Sequence, residues 1–367
     1  MYSIYRNDST RFNPQMTAQR GEALKKVTIK DIAREAGVSI SVVSYVLNNN
    51  TNVSISEKTK EKVINAAKSL NYTPNSIARS MRTNKSMVIG LATLWNVSDS
   101  VFTETLRGVD SVAQKNDYSV IYCNLQKDQK GDKIVTLYNQ RQIDGVILLS
   151  YDDSSGGFNE TDFIKNVKKN NMPNVIINGS TEFPEVSYVY IDYYATAYMA
   201  VDYLYKLGHR KLCYMYPNKI EENSIQSIQR INGYKDAVEQ IGIYSSTFLL
   251  NIDSLNKLPE LMTSGDRPTA IVANKVNYAV HLLKMCIKLG IRVPDDVSVI
   301  ACNDDHYASY LTPPLTTVKV PIYEMGEKSA ELLFDSLTNR KTDIKIKLSN
   351  KIIERESCSK VKQGKLV

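Results

Sequence analysis

Three short amphipathic segments follow one another near the start of the chain. In the first, Ile32 and Ala36 recur at helical spacing. Thr28, followed three residues later by Asp31, resembles a capping box in which Asp replaces Glu. The pattern therefore predicts a helix that begins at about Ile29.

A tight turn separates this helix from the next amphipathic segment. Gly37 can end the first helix in the left-handed conformation, and Ser39 can cap a second helix over residues 40–48. Ser56 can cap a third, whose predicted apolar stripe is Val63, Ile64, Ala67 and Leu70. Two helices joined by a Gly-containing turn of about 3–4 residues match the helix-turn-helix unit, whose second helix enters the major groove of DNA.

The second helix has a polar side without carboxylates. Val43, Val46 and Leu47 can pack inward. The residues that this leaves outside are Ile40, Ser41, Ser44, Tyr45 and Asn48. Hydroxyls and amides can bond to base edges or phosphate oxygens, and Ile40 can touch a thymine methyl group. The alternative is an ordinary surface helix in a helical hairpin.

A further short helix is predicted after Pro74, over residues 76–82. Seven residues are too few for a helix that is stable by itself, because helix nucleation is costly. In the functional interpretation the DNA minor groove and a second copy hold it, with small Ala78 at the close approach and Met81 wedged between base steps. In the alternative interpretation the segment is a frayed linker.

From Met87 onward, short β-branched runs alternate with amphipathic stretches. The predicted strands of a first series are MVIGLAT, SVIYCN, GVILLS and NVIIN; those of a second are KLCYMYP, residues 247–250, TAIVAN and VSVIACND. Continuous apolar strands that alternate with helices indicate parallel sheets covered on both faces. Two such series predict two similar subdomains, with a ligand cleft beyond the carboxyl ends of their strands.

Amides stand at three of these strand ends. Asn178, Asn274 and Asn303 each follow an apolar strand, and Asp304 follows Asn303. Planar amides and carboxylates suit ligands with neighbouring hydroxyls, such as sugars. Alternatively, each Asn simply ends its strand and caps a helix.

The positive charge of the chain is confined to its first part. Residues 1–85 carry 14 Lys or Arg against 6 Asp or Glu, whereas the remaining 282 residues carry 32 against 33. A basic head on a neutral body is typical of nucleic-acid binding. The polar first 26 residues have no periodicity and are predicted to be a disordered extension, which could also add phosphate contacts.

Cysteine and histidine usage argues against a disulfide framework or a metal centre. The five Cys residues are scattered without a C-x-x-C pair, and the chain has three His residues, so we expect a reduced, cytoplasmic protein with no metal and no cofactor. No apolar run approaches the roughly 20 residues that span a bilayer, and the first 26 residues lack the apolar centre of a signal peptide. We expect no membrane association.

Five motifs in order resemble the LacI/GalR (lactose and galactose repressor) family of transcription regulators. They are TIKDIAREAGVS, SYVLNN, YTPNSIARSM, RVPDDVSVI and LTPPLTTV. The resemblance implies a three-helix helix-turn-helix domain and a hinge helix, joined to an α/β core of two parallel-sheet subdomains that is similar to type I periplasmic binding proteins. The residues that we expect at DNA are Thr28, Ile40, Ser41, Ser44, Tyr45, Asn48, Ala78, Met81 and Arg82.

The resemblance also implies an effector site. Arg230 matches the family's Arg that forks into the ligand, and Phe102 matches an aromatic or apolar contact over it; a single aromatic near a helix start is otherwise a core residue. With the three strand-end amides, the expected effector contacts are Phe102, Asn178, Arg230, Asn274 and Asn303. Family members usually carry Asp where this chain has Asn178 and Asn303.

Domain boundaries follow from these motifs. We expect an extension at 1–26, the DNA-binding domain at 27–73, the hinge and linker at 74–86, and the effector-binding core at 87–343. Within the core, the first subdomain takes about 87–190 plus 317–340 and the second about 191–316. Residues 344–367 are expected to form a C-terminal strand and tail.

These expectations favour a homodimeric transcription regulator that represses genes of carbohydrate metabolism. We expect it to bind a pseudopalindromic operator. A small effector, a sugar rather than a purine, is expected to control this binding. The sequence leaves open whether a protein co-effector is a further partner. The alternatives are a sugar-binding receptor without DNA function, a regulator of purine metabolism, and an enzyme. The enzyme is disfavoured because the chain lacks the motifs G-x-x-x-x-G-K-[ST], G-x-S-x-G and H-E-x-x-H.

Overall fold

The computed structural model describes most of the chain in two compact units, residues 1–79 and 80–367. The described residues are 27–47, 53–72, 85–126, 128, 130–150, 158–179, 183–216, 224–243, 247–265, 267–339 and 343–361. The predicted extension at 1–26 lies outside them, as does nearly all of the predicted hinge. Each unit is described by itself.

The first unit contains three helices, as the sequence pattern predicted. They are α1 (Ile29–Ala36), α2 (Ile40–Leu47) and α3 (Glu57–Ser69). The backbone N–H of Thr28 donates to Asp31 Oδ2 at 2.9 Å, so the capping box is formed. Gly37 ends α1 at φ 65° and ψ 37°, a left-handed conformation that favours glycine. Ser39 then accepts a hydrogen bond from Val42 N–H at the start of α2.

One residue from each helix is completely buried in the core of this unit: Ile32, Val43 and Val63. The predicted stripe on α3 is wrong at Ile64, which is 42 % exposed, because Ala66 occupies the inward position. Val63 and Ala66 are three residues apart and therefore share a helix face, whereas Ile64 is turned away from it.

The second unit alternates strands and helices along most of its length. In chain order its elements are β1 (Val88–Thr93), α4 (Ser100–Lys115), β2 (Ser119–Asn124), α5 (Asp132–Asn139), β3 (Gly145–Leu149), α6 (Glu160–Lys169), β4 (Asn174–Ile177), β5 (Ser187–Ile191), α7 (Tyr193–Lys206), β6 (Leu212–Tyr216), α8 (Ile225–Gln240), β7 (Thr247–Asn251), α9 (Leu258–Thr263), β8 (Ala270–Ala273), α10 (Val276–Leu289), β9 (Ser298–Ala301), β10 (Thr316–Lys319), α11 (Ile322–Asn339), β11 (Lys345–Leu348) and β12 (Lys351–Ile353).

The strands form two six-stranded sheets. The first has the order β11-β5-β4-β3-β1-β2, and all of its neighbouring strands are parallel. The second has the order β12-β10-β9-β8-β6-β7, with β12 antiparallel to β10 and the other pairs parallel. The prediction of two similar parallel-sheet subdomains is confirmed.

The chain crosses between the sheets three times, and this changes the predicted subdomain limits. Residues 317–340 were expected in the first subdomain, but β10 pairs with β9 and β12 in the second sheet; α11 packs on α4 and the first sheet. Thr316, Thr317 and Val318 of β10 are completely buried in the second sheet, between β9 and β12. The expected C-terminal strand is two strands, β11 and β12, one in each sheet.

Glycines let two pairs of helices approach closely. A Cβ at Gly326 of α11 would overlap the carbonyl oxygen of Thr105 in α4, and one at Gly108 would overlap that of Tyr323. In the second subdomain, a Cβ at Gly233 of α8 would overlap the carbonyl oxygen of Tyr194 in α7. Each subdomain thus has one helix pair whose backbones touch.

Among the described residues, no helix has both the length and the apolar character needed to cross a bilayer.

Candidate functional sites

The outward side of α2 carries short, uncharged side chains. Ile40 is 45 % exposed, Ser41 is exposed, and Ser44 and Tyr45 are half-buried. Val43 and Val46 are buried on the opposite side, as the pattern predicted. This side of α2 can approach a groove of DNA without repulsion of phosphates, since α2 contains no acidic residue.

Thr28 is exposed, and its hydroxyl already donates to Asp31 Oδ2 at 2.7 Å. A phosphate oxygen can only accept a hydrogen bond. The Thr28 hydroxyl must therefore break its hydrogen bond to Asp31 before it can donate to a DNA phosphate. The other four expected DNA contacts, Asn48, Ala78, Met81 and Arg82, lie outside the described residues.

Arg230 is the least ordinary buried residue of the second unit. It lies in α8, which begins at Ile225 because Ser224 caps it by accepting from Ser227 N–H. The Arg230 residue is only 3 % exposed, and its Nε and Nη1 atoms are buried without a hydrogen-bond partner. A buried cation with unused donors is costly, which makes this position a candidate ligand site.

Tyr193 connects Arg230 with the first sheet. The Arg230 guanidinium lies 4.8 Å from the centre of the Tyr193 ring, within cation–π range. Asn178, just after β4, donates from Nδ2 to the Tyr193 hydroxyl at 2.9 Å and accepts from Ile191 N–H at 3.0 Å. Burial raises the pKa of Tyr193 and the nearby Arg230 charge opposes the rise, so the phenol stays protonated.

Asn274 lies at the end of β8 and is completely buried. Its Oδ1 accepts from the Tyr214 hydroxyl at 2.9 Å, and its Nδ2 is 3.4 Å from Ser227 Oγ. Ser227 is one helical turn before Arg230 on α8. The amide is therefore held by β6 and α8, beside the Arg230 side of the site.

The two residues Asn303 and Asp304, which follow β9, are bonded to other parts of the chain. Asn303 Oδ1 accepts from Val276 N–H at 2.7 Å, so it caps α10, as the alternative interpretation proposed for strand-end amides. Asp304 pairs with Arg355 at 2.9 Å and also accepts from the Thr317 hydroxyl. Both carboxylate and guanidinium are largely buried, so Asp304 is already neutralised by this chain.

Phe102 lies in the apolar core of the first subdomain. It is 3 % exposed and makes an edge contact with Tyr122, with ring centres 5.2 Å apart. The structure thus gives Phe102 the core position that the sequence left as its alternative.

The charge of Arg230 affects the pKa of residues on three elements. Burial raises the pKa of Tyr193, of Tyr214 in β6 and of Cys302 after β9, and the positive charge of Arg230 opposes each rise. Burial raises the pKa of Cys302 to about 12, so this thiol stays protonated. Within the described residues no group of His, Cys, Asp and Glu could hold a metal ion.

Sequence reasoning missed Tyr193, Tyr214 and Ser227. Ser227 had a weak signal, because it precedes Arg230 by three residues and must share its helix face. The two tyrosines lie in a chain with 23 Tyr residues, so neither stood out.

The geometry defines a class of protein: a DNA-binding regulator with a helix-turn-helix unit and a periplasmic-binding-protein-like core. Residues 28–75 match the model of the bacterial regulatory proteins of the lacI family, and residues 201–358 match that of the periplasmic binding protein-like domain.

Proteins of known identity match this chain along nearly its whole length. The probable transcriptional repressor ExuR of Bacillus subtilis is 31 % identical over 88 % of this chain and 96 % of its own length. Catabolite control protein A of Priestia megaterium is 29 % identical over 90 % of this chain and 99 % of its own. The chain belongs to the lacI family of bacterial regulatory proteins.

Solved structures show the same fold. The Lac repressor dimer bound to operator and an anti-inducer has a TM-score of 0.73 at 23 % identity, covering 91 % of this chain and 100 % of that one. The regulator CelR in complex with cellobiose has a TM-score of 0.61 at 23 % identity, covering 90 % and 99 %. The expected fold and the expected role as a DNA-binding transcription regulator are confirmed.

Proposed function

We propose that this regulator represses genes of carbohydrate metabolism by binding a pseudopalindromic operator as a homodimer, and that a small carbohydrate held at Arg230 changes its affinity for that operator. Arg230 carries the proposal, because its buried, unpartnered nitrogens suit ligand oxygens. A planar guanidinium can donate to two such oxygens at once.

The surroundings of Arg230 suit a polyhydroxyl ligand. Asn178, Asn274 and Ser227 supply amide and hydroxyl groups that both donate and accept. Tyr193 supplies an aromatic ring under the guanidinium. The CelR complex contains a disaccharide in a protein of the same fold, which supports a carbohydrate in this one.

DNA contacts are proposed for the outward side of α2, with Ser41 and Tyr45 at base edges. A two-fold protein reads two half-sites, which gives the operator its symmetry. The Lac repressor structure contains a dimer on its operator. The chain after Thr73, with Met81 as the wedge, is proposed to enter the minor groove.

An apolar surface on the second subdomain supports dimerisation. Ile287 is 68 % exposed and Tyr310 is 82 % exposed, and beside them Val280, Leu283 and Leu311 line a groove of about 310 Å³. Contiguous exposed apolar groups mark interfaces, and we assign this one to a second copy of the chain. Ile287→Lys should then shift the protein from dimer to monomer in sedimentation velocity and weaken operator binding.

Catalysis and export are not part of the proposal. Asn178 and Asn303 cannot act as acid and base, and Asp304 is paired with Arg355. The five described cysteines are free thiols, which agrees with a cytoplasmic protein.

The test combines operator selection with an effector screen. Fragments of genomic DNA would be captured by the purified protein at about 150 mM salt, and the best fragment titrated with and without sugars and sugar acids. We expect capture of one symmetric sequence and a change in its affinity with at least one carbohydrate. Equal affinity for random duplex, or the same affinity with every carbohydrate, would refute the proposal.

A further inference from the structure

Arg230 has no carboxylate partner among the described residues. Two residues at the strand ends, Asn178 and Asn303, are neutral amides, and their side-chain oxygens accept from Ile191 N–H and Val276 N–H. The site therefore contains a buried positive charge without a counter-charge from these two positions.

Three acidic residues of the described chain at or near the strand ends have other partners. Asp304 pairs with Arg355 at 2.9 Å, and Asp192 pairs with Lys347 at 2.6 Å. Asp99 caps α4 by accepting from Val101 N–H at 2.8 Å. Its charge raises the pKa of the Tyr193 phenol.

The cation–π contact of Arg230 with Tyr193 does not neutralise its charge. The Tyr193 ring attracts the guanidinium through its quadrupole, which carries no net charge. Asn274, Ser227 and Tyr214 are neutral. Among the described residues, a ligand at Arg230 meets one buried cation and neutral dipoles, and burial makes an ion pair stronger than at the surface.

We infer that the effector is an acidic carbohydrate, a sugar with a carboxylate or phosphate group, and that Arg230 receives the acidic group. This rests on the proposed function and names the chemistry of its ligand. Nε and Nη1 are both buried without a hydrogen-bond partner, so each has an N–H group that can donate to an oxygen of a carboxylate or phosphate in a charge-assisted hydrogen bond. A neutral sugar offers hydroxyls, which leave the charge uncompensated.

The experiment compares matched pairs of ligands. Binding of glucose, glucuronate and glucose 6-phosphate, and of galactose and galacturonate, would be measured calorimetrically with the full-length protein. We expect at least one acid to bind 30-fold more tightly than its neutral parent, and its affinity to fall as NaCl rises from 50 to 500 mM. Neutral sugars that bind as tightly as their acids would overturn the inference.

Two variants assign the preference to Arg230. Arg230→Gln keeps donors but removes the charge, so the acid should lose its advantage over the neutral parent. Arg230→Lys keeps the charge without the planar set of guanidinium donors and should retain part of this advantage. An unchanged preference in Arg230→Gln would place the acidic group elsewhere and refute the assignment.

The two proposals fail in different ways. If a neutral sugar alone binds and shifts operator affinity, the proposed function stands and the acidic ligand is wrong. If no ligand of either series binds, while one operator is still selected, the carbohydrate effector fails and the inference with it.

Discussion

The two subdomains share a strand order but present different chemistry at their strand ends. In the first, the amide of Asn178 bonds to Tyr193 and Ile191, and Phe102 is buried in the core. In the second, Arg230 has two buried nitrogens without partners. The difference teaches that a repeated fold need not divide a site equally: in the proposed function the second subdomain supplies the charged contact to the ligand, and Asn178 of the first reaches that contact only through Tyr193.

The largest expected effect comes from removing the positive charge of Arg230. Arg230→Met should weaken effector binding by at least about 100-fold, because charge-assisted hydrogen bonds contribute about 1.5–3 kcal/mol each. The free protein should melt no lower than wild type, since an unpaired buried cation is itself destabilising. Calorimetry and thermal unfolding measure the two effects.

Arg210→Met is the matched control for this change. Arg210 is an exposed residue that stacks on Tyr205 at 3.7 Å, away from the strand ends. It should leave effector affinity unchanged. A loss of melting temperature in Arg230→Met would contradict the interpretation of Arg230 as a destabilising cation.

Acid should unfold the second subdomain first, because its buried histidine resists protonation. Burial lowers the pKa of His209 from 6.5 to about 4, while its hydrogen bond to the Ser359 carbonyl works the other way. The unfolded chain binds the proton below about pH 6.5, so this stability is complete above 6.5 and is lost as pH falls towards 4. The total is about 3 kcal/mol.

Urea unfolding from pH 7 to pH 4 checks this, with hydrogen exchange to locate the change. His209→Gln should flatten the pH dependence, whereas His281→Gln, at an exposed site, should not. Equal acid sensitivity of wild type and His209→Gln would exclude His209 as the cause.

The close helix pairs allow each subdomain to be destabilised separately. Gly233→Ala should destabilise the second subdomain and Gly326→Ala the first, each by about 1–3 kcal/mol, because the added Cβ meets a backbone carbonyl that cannot move alone. Exchange rates should rise mainly in the affected sheet. Gly265→Ala, where a Cβ would meet nothing within 4 Å, is the control.

The smallest effect should come from the first subdomain's amide. Asn178→Ala removes hydrogen bonds to Ile191 N–H and Tyr193, a loss of about 1 kcal/mol and roughly a fivefold weakening of effector binding. Tyr193→Phe keeps the ring under Arg230 and should be milder. If Asn178→Ala weakened binding as much as Arg230→Met, the unequal division between subdomains would be wrong.

Much of the fold could be predicted because its signals are local. The caps at Thr28, Ser39 and Ser56, and the left-handed Gly37, act on adjacent residues, so the three head helices follow directly from the sequence. The buried parallel strands were visible as continuous apolar runs. By contrast, β5 and α7 were missed, because tyrosines throughout residues 187–206 fit a strand or a helix equally well.

The site was only partly predictable because its contacts are distant in sequence. Arg230 and the three amides were named, but which amide caps a helix depends on residues such as Val276 that pack nearby only in the folded chain. Likewise, the neutralisation of Asp304 needs Arg355, 51 residues later. No local pattern contains that pair.

The three crossings between the sheets have a consequence for the gene. The chain crosses from one subdomain to the other near residues 192, 320 and 350. Neither subdomain is therefore encoded by one uninterrupted stretch of codons. A stop codon at position 344 would therefore remove an outer strand from both sheets at once, β11 from the first and β12 from the second, and should destabilise both subdomains.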